Sequence, residues 1–338
     1  MMRFITSKEL YESNPEPVNW ICKPWLAAEA ITELDGKAKT AGKTTWALAM
    51  CRAILTGGEF LGEPTKQSAI VYLTEESRTS FRAAIDRAGI GESDDFHLLF
   101  WRETHQLQDR ADLGTVWEQI IDNAVQYAEN KGAAVLVVDT FAQFARLVGD
   151  RENIAGDVLS AMWPLQKARD AGLAVLVIRH ERKEGGSIGD SGRGSSAMSG
   201  AMDIVLRLNR PNGKPSGNYR QLDAVSRFDD TPSELTIALS ENGSGYKVLG
   251  NTATPALQET MSRILSELPE SAEVALSVQE LCDRTASTRT TIQLAISELE
   301  AGGFLEKVGE GKKGNPNRFF RNSAETLSPQ HGGMAENP

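Results

Sequence analysis

The stretch Gly36-Lys37-Ala38-Lys39-Thr40-Ala41-Gly42-Lys43-Thr44-Thr45 holds residue types that suit a polyphosphate. Glycines let backbone approach a ligand closely, a lysine supplies a compact positive charge, and hydroxyls are ligands for hard cations. A short apolar segment, 31–34, precedes it, and a helix-like segment, 44–56, follows. In a glycine-containing loop between a strand and a helix, backbone N–H groups and the helix N-terminus converge on phosphate oxygens. Lys39, Thr40, Ala41, Gly42, Lys43, Thr44 and Thr45 are therefore the candidate nucleotide-binding residues. Lys43 would neutralise the β- and γ-phosphates of ATP, and the Thr44 hydroxyl would ligate Mg²⁺. The strict motif spacing puts a glycine where Lys37 stands; here the glycine comes one residue earlier, at Gly36.

Three further groups fall at the ends of apolar runs. Asp139 follows Ala133–Val138, where a carboxylate beside a phosphate loop would serve Mg²⁺. Glu75 and Glu76 follow Ala69–Leu73. One of them could take the proton of an attacking water, with Glu76 the preferred candidate; the alternative is a helix start capped by Thr74. His180 follows Leu173–Ile178 and could contact the γ-phosphate or act structurally.

These positions need a scaffold that brings several strand ends together. Compact apolar runs at 69–73, 133–138 and 173–178 alternate with helical segments at 77–88, 113–130 and 154–171. Continuous apolar strands separated by helices predict a mostly parallel sheet covered on both faces, an α/β fold. Segments 203–208, 220–227, 235–239 and 246–249 are strand-like and separated by turn residues, which suits an antiparallel extension. Residues 1–30, with Trp20 and Trp25, read as an irregular lead-in, and 31–250 as the main domain. A linker at 251–255, a small domain at 256–321 and a polar, disordered tail at 322–338 complete the expected organisation.

Composition narrows the function classes. The 338 residues carry a net charge of −10, so any contact with nucleic acid must be local rather than global. Cys22, Cys51 and Cys282 lie far apart, without metal-ligand spacing, and read as reduced thiols of a cytoplasmic protein. Neither a signal peptide nor a membrane span is expected.

The ordered set Gly36–Thr45, Tyr72–Glu76, Leu136–Thr140 and Arg179-His180 followed by Arg193–Ala197 resembles the RecA-like ATPases. It is most similar to the plasmid RepA-type hexameric helicases and their relatives in phages and mobile elements. The resemblance covers roughly residues 18–250. It implies a RecA-like core in a homo-oligomeric, hexameric ring, with ATP at subunit interfaces. It also implies that Glu76 activates water, Asp139 serves Mg²⁺ and His180 senses the γ-phosphate. An arginine finger from a neighbour is implied too, with Arg207 and Arg210 as candidates and Arg193 behind them. The Gly/Ser-rich stretch 181–200 would be either a pore loop touching DNA or a surface loop.

In residues 256–321, three helical stripes precede two short strand segments, which resembles a winged helix-turn-helix domain. Met261, Ile264, Leu265 and Leu268 form the first stripe, and Val278, Leu281 and Cys282 the second. The second opens with Ser277 and Glu280 in capping-box spacing. The third places Ile292, Ala295, Ile296 and Leu299 inward. DNA contacts would then come from Arg289, Thr290 and Gln293 at the third helix and Lys312, Lys313 and Arg318 in the wing. The segment has eight Lys and Arg against ten Asp and Glu, a net of −2, so protein contact is the alternative use. The expected activity is an ATPase acting on DNA, as a helicase or replication protein. Its rivals are an ATP-switched DNA-binding regulator and a recombination accessory ATPase that does not unwind.

Overall fold

The computed structural model describes residues 4–12, 17–104, 113–147, 149, 151, 154–180, 198, 200–210, 219–240, 242–250, 255–301, 304–309, 311–312 and 315–322. The chain divides into two compact units, Met1–Thr252 and Ala253–Pro338.

In the first unit, helix α1 (Ser7–Glu12) is followed by β1 (Trp20–Cys22) and β2 (Leu26–Ala27). These two strands pair antiparallel, and Trp25 is only 2% exposed. Residues 20–27 thus hold two short strands where an irregular lead-in was expected, with Trp25 packed within the chain.

Then come β3 (Ala30–Asp35), α2 (Lys43–Thr56), β4 (Glu59–Phe60), β5 (Glu63–Pro64), β6 (Ala69–Thr74), α3 (Arg78–Ala88) and β7 (Phe96–Phe100). Next are α4 (Leu113–Lys131), β8 (Ala133–Asp139), α5 (Phe141–Phe144), α6 (Ala155–Asp170) and β9 (Ala174–Ile178). The unit closes with β10 (Ile204–Asn209), β11 (Tyr219–Ser226), β12 (Glu234–Leu239) and β13 (Tyr246–Gly250).

One nine-stranded sheet organises them, in the order β13-β12-β11-β10-β3-β9-β8-β6-β7. The six strands from β10 to β7 run parallel, and β11, β12 and β13 extend that sheet antiparallel. β6, β9 and nearly all of β8 are buried along their whole length, which is why they read as unbroken apolar runs. One core cluster packs α2 and α3 against one face, through Trp46, Met50, Ile54 and Phe81. The other packs α4 and α6 against the opposite face, through Trp117, Ile121, Met162 and Leu165. This is an α/β core with a mostly parallel central sheet.

The second unit contains α7 (Pro255–Glu267), β14 (Leu276–Ser277), α8 (Val278–Thr285), α9 (Arg289–Ala301), β15 (Leu305–Val308) and β16 (Arg318–Arg321). Its three strands form a sheet in the order β14-β16-β15. β14 was absent from the sequence expectation; two residues are too few for alternation to show. Ser277 and Glu280 form the reciprocal capping box at the start of α8. Ile264, Leu281, Ile292, Ala295, Leu299, Leu305 and Phe319 make its core. Of the expected linker at 251–255, Pro255 instead opens α7, and residues 251–254, like the tail beyond Asn322, lie outside the described residues.

Cys22 and Cys51 are buried in the first unit, and burial raises both thiols far above their ordinary range. Cys282, in the second unit, is half-buried.

Candidate active site

The phosphate loop occupies the turn between β3 and α2, and its glycines are there for different reasons. Gly36 follows β3 at φ +157°, where a Cβ would lie 2.6 Å from the Leu208 carbonyl oxygen and 2.9 Å from Ala41 Cβ. The early glycine is therefore required by the neighbouring strand β10, and the extra residue is taken up as the Ala41 N–H donates to the Lys37 carbonyl at 3.2 Å. Gly42 adopts the left-handed conformation at φ 91° as the N-cap of α2.

Lys43, the first residue of α2, is 6% exposed. Its Nζ donates to the Gly36 carbonyl at 2.7 Å and stands 3.3 Å from His180 Nδ1. Thr44 donates its hydroxyl to Asp139 Oδ2 at 3.3 Å, and the Tyr72 hydroxyl donates to the same oxygen at 2.8 Å. Asp139 ends β8 and is joined to Thr140 by a cis peptide. Burial pushes its carboxyl up to about 6, with the negative charges of Glu75 and Glu76 adding to the effect. The Tyr72 hydrogen bond and the Lys43 charge only partly offset that. Such a buried acid is short of positive charge, and with Thr44 Oγ1 it makes an all-oxygen donor pair suited to a hard cation such as Mg²⁺.

Glu75 and Glu76 leave the tip of β6 in different directions. Glu75 sits 3.9 Å by Oε1 from His180 Nε2 and accepts the Thr140 hydroxyl at 2.8 Å. Partial burial would raise its carboxyl, but His180, Thr140 and Lys43 outweigh that and hold it below the usual range. Glu76 instead accepts the Ser80 hydroxyl at 2.5 Å, within the first turn of α3. His180 follows Arg179, whose guanidinium pairs with Glu33 of β3 at 2.7 Å in a fully buried ion pair.

Lys43, Thr44, Asp139, Glu75 and His180 thus converge at the C-terminal ends of the adjacent strands β3, β9, β8 and β6, where ligands bind in open parallel sheets. Glu76 is next to this cluster, and its carboxylate is held by Ser80. Two of the arginine-finger candidates are engaged within their own chain. Arg207 pairs with Asp223 at 3.2 Å, and Arg210 Nε donates to the Thr40 carbonyl at 2.7 Å. Arg193 and most of 181–200 lie outside the described residues.

Sequence reasoning missed two residues behind the loop. Arg220, 4% exposed, donates from Nε to the Ala41 carbonyl at 2.7 Å, and Tyr246 Oη lies 3.5 Å from the Gly42 carbonyl. A signal was present: on β11, Arg220 shares the inward face with buried Leu222 and Ala224. A charge at an inward strand position needs a reason.

A family model described as an AAA domain matches residues 3–186. The chain belongs to that family. Solved structures similar to this member include the RadB recombinase, at 16% identity and a TM-score of 0.46, over 67% of this chain and 93% of that one. Another is a KaiC-like protein from Pyrococcus horikoshii OT3, at 15% identity and a TM-score of 0.48, over 69% of this chain and 100% of that one. No curated protein matches this chain. Among the described residues, no helix is long and apolar enough to cross a membrane.

In the second unit, Arg289 and Gln293 are exposed on the first turns of α9, and Lys312 is exposed between β15 and β16. Arg318 is exposed as well, while its guanidinium is engaged within the unit: Nη1 donates to the Ala275 carbonyl at 2.6 Å and Nη2 lies 3.4 Å from Glu280. The Thr290 side chain and Lys313 lie outside the described residues.

Proposed function

We propose that this RecA-like P-loop ATPase is a DNA-acting motor, a RepA-type helicase or helicase-like replication protein that works as a ring. The observation that carries the ATPase chemistry is the convergence of Lys43, Thr44, Asp139, Glu75 and His180 on four neighbouring strand tips. The phosphates of ATP would lie on the N-terminus of α2, with the Gly42–Thr45 backbone as hydrogen-bond donors and Lys43 as counter-charge. Thr44 and Asp139 would hold Mg²⁺, which neutralises charge on the phosphate oxygens when bound.

Hydrolysis then needs a base for the attacking water, whose oxygen bonds to the γ-phosphorus as the bond to ADP breaks and whose proton passes to a carboxylate. Glu76 is the assignment from sequence. A second reading gives this role to Glu75, because it faces the His180–Lys43 pair, and His180, Thr140 and Lys43 hold its carboxyl below the usual range. His180 bridges Lys43 and Glu75, so loss of the γ-phosphate would reach it directly through Lys43.

The DNA role rests on the resemblance and on Arg289, Gln293 and Lys312, which are exposed in the winged-helix-like second unit. Turnover measurements test the ATPase: Lys43→Ala should abolish hydrolysis, and unchanged turnover would remove the assignment. Strand displacement that requires ATP would select the helicase over a regulator or accessory ATPase.

A further inference from the structure

We infer that Arg220 is a positioning residue of the phosphate loop, fixing the Ala41–Gly42 peptide so that the Gly42 N–H is presented to the bound nucleotide. The inference rests on the ATP-binding reading of this loop. Arg220 Nε donates to the Ala41 carbonyl at 2.7 Å. The cis peptides among the described residues are Lys23–Pro24 and Asp139–Thr140, so the Ala41–Gly42 bond is trans. In a trans peptide the C=O and N–H point to opposite sides. Holding the carbonyl from behind therefore aims the Gly42 N–H away from Arg220.

This peptide is the one that most needs holding. Gly42 sits at φ +91°, and glycine passes between mirror-image basins at little cost. A peptide flip here would turn a donor away from an anion and present an oxygen instead. Ala41 is 1% exposed, so water cannot easily replace the lost donor. The flanking carbonyls are held as well: Arg210, just past β10, donates from Nε to the Thr40 carbonyl at 2.7 Å. Gly42 O accepts from the Trp46 N–H at 2.9 Å, with Tyr246 Oη at 3.5 Å. The space around Gly42 is also closed, since a Cβ there would lie 2.9 Å from Tyr246 Oη and 3.7 Å from Arg220 Nε. The antiparallel extension is thus a buttress of the nucleotide site and not only a widening of the sheet.

The test is equilibrium binding of a fluorescent N-methylanthraniloyl-ATP, with Mg²⁺, to the full chain. Arg220→Met keeps the bulk of the side chain but removes its donors; we expect affinity to fall about tenfold, equivalent to about 1.4 kcal/mol. Arg220→Lys keeps the charge without the planar fork, and a loss of roughly threefold or more is expected. Melting of each variant without nucleotide separates positioning from folding. A purely structural role lowers the melting temperature but leaves the affinity of the folded protein within twofold, which overturns the inference. Wild-type affinity in Arg220→Lys also overturns it, because charge alone would then suffice. That variant carries the test by itself if Arg220→Met does not fold. If the wild type binds no analogue, the ATP reading itself fails.

Discussion

Replacing Asp139 with Asn should stabilise the nucleotide-free protein while removing its response to Mg-ATP. Asp139 is 5% exposed and its carboxyl is pushed up to about 6, chiefly by burial. An unfolded aspartate titrates near ~3.9, and each pH unit of difference is worth about 1.36 kcal/mol. A raised acid means the folded state holds its proton where the unfolded state has already released it. The stabilising contribution is therefore complete below pH ~4 and is lost as pH rises through about 6. By pH 7.5 the buried charge costs about 3 kcal/mol, and asparagine, which still accepts from Tyr72, does not incur it. For a unit the size of Met1–Thr252, that is about 6–12 °C in melting temperature. Thermal melts of wild type and Asp139→Asn from pH 4 to 8 check this. The two proteins should coincide near pH 4, separate progressively between pH 4 and 6, and keep a constant gap above about 6, with the variant melting higher. Mg-ATP at about 100 times its Kd should add about 2.7 kcal/mol to the wild type and little to the variant. A variant that melts at or below the wild type at pH 7.5, or a gap that persists at pH 4, would refute the reasoning.

Glu75→Gln and Glu76→Gln separate the two candidate bases. The variant that retains binding of the ATP analogue but loses turnover at least a hundredfold identifies the base; equal loss in both assigns the role to the pair. If Glu75 is the base, its lowered carboxyl stays charged through the ordinary glutamate range, so loss of turnover as pH falls through about 6 belongs to Asp139 and not to Glu75. His180→Ala should reduce turnover by about tenfold or more with binding of the analogue retained, and unchanged turnover would leave His180 a structural role. Arg289→Ala combined with Lys312→Ala should weaken duplex DNA binding at low salt and flatten its salt dependence; identical binding curves would remove DNA from the function of those positions.

The strands and helices of the first unit were legible because burial on both faces forces unbroken apolar runs, as at Ala69–Thr74 and Ala174–Ile178. The positions of Lys43, Thr44, Asp139 and His180 were legible because strand ends next to one another in a parallel sheet converge by topology alone. The division of labour between Glu75 and Glu76 was not legible, since it depends on which carboxylate Ser80 and Thr140 hold. Residues 20–27 hid their strands because the pairing is only two or three residues long. The roles of Arg207 and Arg210 were also invisible, because their partners, Asp223 and the Thr40 carbonyl, come from other parts of the chain. The contacts of Arg318 with the Ala275 carbonyl and Glu280 were hidden for the same reason.

The three thiols make the chain its own reporter of unfolding. Cys22 and Cys51 are shielded and protonated in the intact first unit, so a maleimide can reach them only when that unit opens. Cys282 reports on the other unit, from a half-buried position that labels sooner. Pulse alkylation followed by mass spectrometry would thus read the opening rates of the two units separately in one untagged sample, and nucleotide protection would register at Cys22 and Cys51.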